Sequence, residues 1–149
     1  MTTRHEPAPK SAASRRVLNI VLWTLQILLA LFFAFASAYP KLTGHPSAAV
    51  TFDAIGYGDW FMYLVGALEL AGAIGLLIPV LSGLTALAFV ALMIGAFVYE
   101  VTVIGAGFWY TPLVLVVLFA FIAWGRRDRT AELFSLLSGG GRTSRRHGG

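Results

Sequence analysis

The chain has 149 residues, of which 58% are hydrophobic and only 12% are charged. Soluble domains carry about 25% charged and about 45–50% apolar residues, so this composition excludes an ordinary soluble globule and, through its lack of charge, a disordered chain. The net charge is +4, and cysteine is absent, which excludes disulfides, thiolate metal sites and thiol redox relays.

The basic residues lie almost entirely in two terminal segments, residues 1–16 and 126–149, and Lys41 is the one basic side chain between them. A nucleic-acid interface needs basic side chains interleaved with aromatic ones on a folded surface, so we predict no nucleic-acid partner. We predict a flexible basic tail over residues 1–16 and a basic, Gly/Arg-rich cytoplasmic tail over residues 126–149.

Between the tails, residues 17–125 are predicted to form a membrane domain with four spans, at about 17–39, 60–81, 83–104 and 108–124. Each span is a mainly apolar segment close to the roughly 20 residues that cross the hydrocarbon of a bilayer. Short glycine-containing turns separate the last three spans and make them antiparallel neighbours. The sequence therefore predicts an all-α integral membrane four-helix bundle.

The orientation of the spans follows from the basic residues. An even number of spans puts both tails on one side of the membrane, together with ten of the eleven Lys and Arg residues. Cytoplasmic segments are enriched in Lys and Arg, so we predict a multi-pass protein of the cell (inner) membrane with both termini cytoplasmic. The first span also resembles a signal peptide that is cleaved after Ala36-Ser37-Ala38, although it is longer than the 7–15 apolar residues usual for one.

Two short helices are predicted outside the spans. The sequence His45-Pro46-Ser47 predicts the start of an interfacial helix that runs through Ala54, because proline is favoured in the first turn of a helix. A second short interfacial helix is predicted over Ala131–Leu137.

Gln26 and Glu69 are the candidate intramembrane polar site. Each lies nine residues into its span, and the two spans run in opposite directions, so both are predicted near the midplane and within reach of each other. Polar and ionisable groups inside a bilayer are costly and usually functional. Two interpretations of Glu69 remain open: a hydrogen-bonded acid that only fixes helix packing, and a midplane group that carries a proton or binds a ligand.

Lys41 and Glu100 end the first and third spans at the same level, and we predict an ion pair between them at the outer interface. The second span also contains small residues at helical spacing, which permit close packing of helices. These predicted packing positions are Gly66, Ala67, Ala71, Gly72 and Gly75.

No complete catalytic constellation is visible in the sequence. The three histidines lie outside the spans, and there is no pair of intramembrane carboxylates, no Ser/His arrangement and no Gly-rich phosphate loop. We therefore predict no catalytic residue, no metal site, no cofactor and no enzymatic activity.

Over about residues 18–124 the chain resembles the DoxX-like family of small four-helix membrane proteins. The resemblance rests on Leu25-Gln26, on Lys41-Leu42, on Gly56 and Trp60, on the segment from Gly66 to Leu77 around Glu69, and on Leu92 to Ala96. It implies that Lys41, Gly66, Glu69, Gly72 and Gly75 belong to the pattern of the family, without marking them as an active site.

The same resemblance implies a function, because members of the family are linked to thiosulfate:quinone oxidoreductase and quinol oxidase assemblies. We expect a non-catalytic accessory subunit or anchor, with the lipid bilayer and membrane-associated oxidoreductase subunits as partners. The alternative is a binder or carrier of a small lipophilic molecule such as a quinone, held by Gln26 and Glu69 in a midplane pocket. A membrane enzyme with Glu69 as acid or base is the third hypothesis, and it lacks a second catalytic group.

Overall fold

The computed structural model describes residues 10–105 and 107–139, and within these ranges every regular element is a helix. The prediction of an all-α protein is confirmed. The helices are α1 (Lys10–Leu31), α2 (Tyr39–Leu42), α3 (Pro46–Ile55), α4 (Asp59–Leu77), α5 (Ser82–Tyr99), α6 (Tyr110–Gly125) and α7 (Arg127–Gly139). Two π-helical segments, Phe32–Ala38 after α1 and Glu100–Ile104 after α5, complete the described helical structure.

Three continuous helical runs are long and apolar enough to cross a membrane: Ala12–Leu42 with 31 residues, Asp59–Leu77 with 19 and Ser82–Ile104 with 23. The apolar helix α6 is followed by α7 after a bend of 62°. If these two helices are taken as one broken span, they form a fourth candidate membrane span. The predicted spans thus fall on α1 with its π-helical extension, on α4, on α5 and on α6.

The boundaries of the predicted tails differ from those of the helices. Helix α1 begins at Lys10, seven residues before the predicted first span, because Ala, Arg and Lys in this segment favour a helix even outside the apolar stretch. The predicted C-terminal tail contains α7, which is longer than the short helix expected over Ala131–Leu137. Residues 1–9 and 140–149, which make up the rest of the two tails, lie outside the described residues.

Helix α3 has clear start and stop signals. The side chain of His45 caps its first turn by accepting a hydrogen bond from the backbone N–H of Ser47, at 3.3 Å between the nitrogen atoms. Pro46 occupies the first helical position, and Gly56 ends the helix in the left-handed conformation, with φ at 83°. The predicted helix through Ala54 therefore exists and ends one residue later.

A cluster of three phenylalanine rings holds the first π-helical segment against α5 and α6. The rings of Phe89 and Phe119 stack with their centroids 4.5 Å apart, and the ring of Phe33 lies 4.5 Å from Phe89 and 5.4 Å from Phe119. Gly72 of α4 lies against this cluster, and a Cβ atom at this position would collide with the ring of Phe89. The absence of a side chain at Gly72 thus allows α4 to approach α5.

The small residues of α4 divide into two groups. Gly66 lies against Lys41 and Leu42 of α2, and Gly75 lies against Thr85 of α5, so these glycines and Gly72 do allow close packing within the chain. Ala67 and Ala71 are exposed on the opposite side of α4, so they do not pack within the chain. The reason is geometric: positions 67 and 71 each lie two residues from the buried Glu69, which places them about 200° around the helix from it.

Candidate binding cavity

The charged centre of the membrane-embedded region is an ion pair between Lys41 and Glu69. The Nζ atom of Lys41 donates to both carboxylate oxygens of Glu69, at 2.8 and 3.2 Å, and also to the carbonyl oxygen and the hydroxyl oxygen of Ser37, at 3.0 and 2.9 Å. The side chains of Lys41 and Glu69 are 16% and 5% exposed. Charge-assisted hydrogen bonds of this length are about twice as strong as neutral ones.

The backbone at Gly66 makes this pair possible. A Cβ atom on Gly66 would lie 2.9 Å from the Cβ atom of Lys41, so only glycine lets α2 approach α4 at this point. Glu69 lies three residues further along α4, on the same face as Gly66, because residues three apart are neighbours on a helix surface. The side chain of Lys41 therefore extends along α4 from Gly66 to reach the carboxylate.

The structure pairs Lys41 with Glu69 and not with Glu100, which corrects the predicted ion pair at the outer interface. Glu100 begins the second π-helical segment, where its carboxylate is partly buried. Its Oε1 atom is inaccessible to solvent and has no hydrogen-bond partner among the residues that the structure describes. The wider turn of the π-helical segments changes the direction in which side chains point. Two residues at the same depth on straight helices, such as Lys41 and Glu100, therefore need not face each other.

A cavity of about 390 Å³ lies beside the ion pair, between the end of the first helical run, α4 and α5. Its polar lining includes Lys41, Glu69 and Glu100. Most of its wall is apolar, and the side chains that contribute to this wall include Phe52, Ile55, Phe61, Val65, Leu92 and Ala96. Pockets of about 300–1,000 Å³ with an apolar wall and a few converging polar groups are typical of sites for small molecules.

Helix α3 forms one side of this cavity. Thr51, Phe52 and Ile55 all come from α3, and all three line the cavity. Phe52 is buried and its ring lies 5.7 Å from that of Phe61 in α4, which fixes α3 to the bundle. The helix that the sequence placed along the membrane interface is therefore part of the site.

The hydrogen bond between Gln26 and Glu69 that their predicted depths allowed is not formed in the described structure, because Gln26 bonds to Leu76 and Arg126 and Glu69 to Lys41. The side-chain amide of Gln26 donates to the carbonyl oxygen of Leu76 at 2.5 Å. Leu76 lies seven residues beyond Glu69 in α4, which is about 10 Å along the helix axis. The first helical run ends at Leu42, where Lys41 reaches Glu69, and Gln26 lies 15 residues before Lys41, so it meets α4 nearer to the C-terminal end of that helix.

The partner of Gln26 is Arg126, a residue that the sequence did not identify as part of a site. The Nε and Nη2 atoms of Arg126 donate to the side-chain oxygen of Gln26 at 2.9 and 2.8 Å, and Nη1 donates to that of Asn19 at 3.0 Å. The guanidinium also lies over the ring of Trp23, 5.3 Å from its centroid. Arg126 is only 7% exposed, so it joins α1 to the end of α6 from inside the fold.

Nothing in the described ranges resembles a metal site, since no three His, Cys, Asp or Glu side chains come close enough to share an ion there. The polar groups instead form two separate clusters. The first is the Lys41–Glu69 pair beside the cavity, with Glu100 on the same cavity wall. The second is the cluster of Arg126, Gln26 and Asn19 at the other end of the bundle.

Comparison with known proteins identifies one relationship. The model of the DoxX-like family matches residues 24–122, which is more than half of the chain. The matched range includes Gln26, Lys41, Glu69 and Glu100 and ends before Arg126. No curated protein and no solved structure matches the chain significantly.

Proposed function

This chain belongs to the DoxX-like family and has the apolar helices of a membrane protein, and on that premise we propose that it binds a small lipophilic molecule with one polar end. The site is the cavity beside Lys41 and Glu69, and the quinone-like ligand expected from the sequence is one molecule of this kind. The binding is non-catalytic: the protein holds or carries the molecule without converting it.

The observation that supports this proposal is the combination of an apolar cavity with a buried ion pair on its wall. Keeping Lys41 and Glu69 inside a membrane protein is costly, and such groups usually mark a ligand or ion pathway. The apolar side chains around them provide the surface on which a lipophilic body binds. An ion pair that served packing alone would not need a cavity of about 390 Å³ beside it.

We also propose the arrangement of the protein in its membrane. Four helical runs, formed by α1 with its extension, α4, α5 and α6, cross the inner membrane, and both termini are cytoplasmic. The basic residues of both termini support this orientation. In this arrangement α3 lies at the outer surface, and the cavity is in the outer half of the bundle.

Filling the cavity is expected to weaken ligand binding. Gly95 lines the cavity, and a Cβ atom at this position would meet open space outside its own helix, so a larger side chain here would extend into the cavity. We expect Gly95→Leu to weaken the binding of 4-phenylbutanol, a small lipophilic probe with a neutral polar end, by about tenfold or more. Titration calorimetry in lipid nanodiscs, with protein-free nanodiscs as the blank, measures this affinity.

Ala67→Leu is the matched control for this experiment. It introduces the same side chain on the exposed face of α4, away from the cavity, and is expected to leave the affinity unchanged. Equal affinities in the wild type, Gly95→Leu and Ala67→Leu would show that the probe binds elsewhere, and the proposed function would be wrong.

The second candidate function is the one expected first from the sequence: a non-catalytic accessory subunit or anchor of a membrane redox assembly. The observation that favours it is the exposure of Ala67 and Ala71 on the outer face of α4. Small residues on an exposed membrane helix let a helix of another chain approach closely. The two functions are compatible, since this face lies apart from the cavity lining.

Purification in a mild detergent from native membranes, followed by mass spectrometry of co-purifying proteins, tests this second function. We expect a stoichiometric oxidoreductase subunit with the wild type and with Gly95→Leu, and its loss with Ala71→Leu, which places a bulky side chain on the exposed face. Retention of the same subunit by Ala71→Leu would exclude this face as the contact.

A further inference from the structure

We propose that the cavity takes a lipophilic ammonium ion and that Glu100 is the residue that binds its positively charged group. This inference rests on the proposed function, because it assigns the chemistry of the ligand in the same cavity. It narrows the ligand from any lipophilic molecule with a polar end to one whose polar end is a cation with an N–H donor.

The first argument is the charge balance of the cavity. Of the described residues that line it, three have formally charged side chains: Lys41, Glu69 and Glu100. Lys41 and Glu69 neutralise each other through their ion pair. No described residue forms an ion pair with the carboxylate of Glu100, so a cation in the cavity would compensate its charge, whereas an anion would add to it.

The second argument is the balance of hydrogen bonds. An ammonium group has three N–H donors, and those of Lys41 already face four oxygen atoms of Ser37 and Glu69. The buried Oε1 atom of Glu100 has no donor among the described residues. Leaving a buried acceptor without a donor costs free energy. A ligand that supplies an N–H group to this acceptor removes that cost, which favours binding.

The third argument is the aromatic part of the wall. Phe52, Phe61 and Tyr99 all line the cavity, and Tyr99 directly precedes Glu100. The rings of Phe61 and Tyr99 lie with their centroids 6.4 Å apart. Aromatic faces attract organic cations, and they also accommodate the apolar body of such a ligand. The carboxylate and the rings therefore select the same class of molecule.

Three probes with one apolar body test this proposal: 4-phenylbutylamine, 4-phenylbutanol and 4-phenylbutyrate have a positive, a neutral and a negative end. We expect the wild-type protein in nanodiscs to bind the amine about tenfold more tightly than the alcohol, and the acid more weakly than both. Glu100→Gln keeps the shape of the side chain and removes its charge. It is expected to reduce the preference for the amine over the alcohol to about twofold or less.

Asp53→Asn is the matched control, because Asp53 is an exposed acidic residue of α3 that does not line the cavity. It removes the same charge from the same side of the protein, and the preference for the amine is expected to persist. Nanodiscs made of uncharged lipid keep the membrane surface from attracting the amine. Size-exclusion chromatography and a thermal melt verify that both variants fold.

The outcomes separate the two proposals. If Gly95→Leu weakens the binding of the alcohol as expected but the wild type shows no preference for the amine, the proposed function stands and the assignment to Glu100 is overturned. A preference that persists in Glu100→Gln also overturns it. If none of the three probes binds the wild type, the proposed function itself is wrong.

Discussion

Replacing Lys41 by methionine is expected to destabilise the protein by about 3–5 kcal/mol, the usual cost of leaving one member of a buried ion pair without its partner. The substitution keeps most of the volume of the side chain but removes all the hydrogen bonds that its Nζ atom makes to Ser37 and Glu69. The carboxylate of Glu69 would then remain almost fully buried with no compensating charge. Reversible unfolding in mixed detergent micelles measures the free energy of unfolding.

The double variant Lys41→Met/Glu69→Met is the control for this prediction. It removes both charges, so no buried charge is left alone, and we expect it to be more stable than either single variant. The difference between the double variant and the sum of the singles gives the coupling energy of the pair. Strictly additive effects would mean that Lys41 and Glu69 do not interact, contrary to the distances of 2.8 and 3.2 Å between their charged atoms.

The second large effect is expected at the other end of the bundle, where Arg126→Met should cost about 3 kcal/mol. Two hydrogen bonds from the guanidinium to Gln26 are lost, and the side-chain oxygen of Gln26, a fully buried residue, is left without these donors. Both hydrogen bonds share one acceptor, and leaving a buried acceptor without a charged donor costs about 1.5–3 kcal/mol. The same unfolding measurement applies.

Arg127→Met is the matched control because Arg127 is adjacent in sequence and exposed. Its guanidinium lies 5.0 Å from the ring of Trp124 and its Nε atom lies 4.0 Å from a carboxylate oxygen of Asp128, both at the surface. Exposed contacts of these kinds contribute about 1 kcal/mol or less. If the two variants lose similar stability, Arg126 acts through the general charge of the segment and not through Gln26.

The fold was predictable in outline because membrane helices leave a strong signal in composition. The apolar runs predicted the positions of all the long helices, and proline and glycine marked the limits of α3. The π-helical segments were not predictable in this way. Phe32–Ala38 consists of small and aromatic residues that are equally common in an α-helix, so the extra residue per turn depends on packing against the neighbouring helices.

The polar residues of the candidate site were predictable from the sequence, but the pairs that they form were not. Lys41, Glu69, Glu100 and Gln26 all stood out as polar residues near apolar spans, yet the structure joins none of the pairs expected from depth alone. Which side chains meet depends on how helices cross and rotate, and that is set by contacts such as the one between Gly66 and Lys41. Arg126 went unnoticed because a basic residue after a span also serves as an ordinary topology signal.

The lengths of the helices have a consequence for the surrounding lipid. Helix α6 has 16 residues and rises about 24 Å, which is less than the roughly 30 Å of hydrocarbon in a typical bilayer. The helical run Ala12–Leu42 is almost twice as long in residues. A short hydrophobic helix is accommodated by thinning of the bilayer around it, at a modest cost for each ångström of mismatch. In the proposed membrane arrangement, lipid chains next to α6 would therefore be compressed.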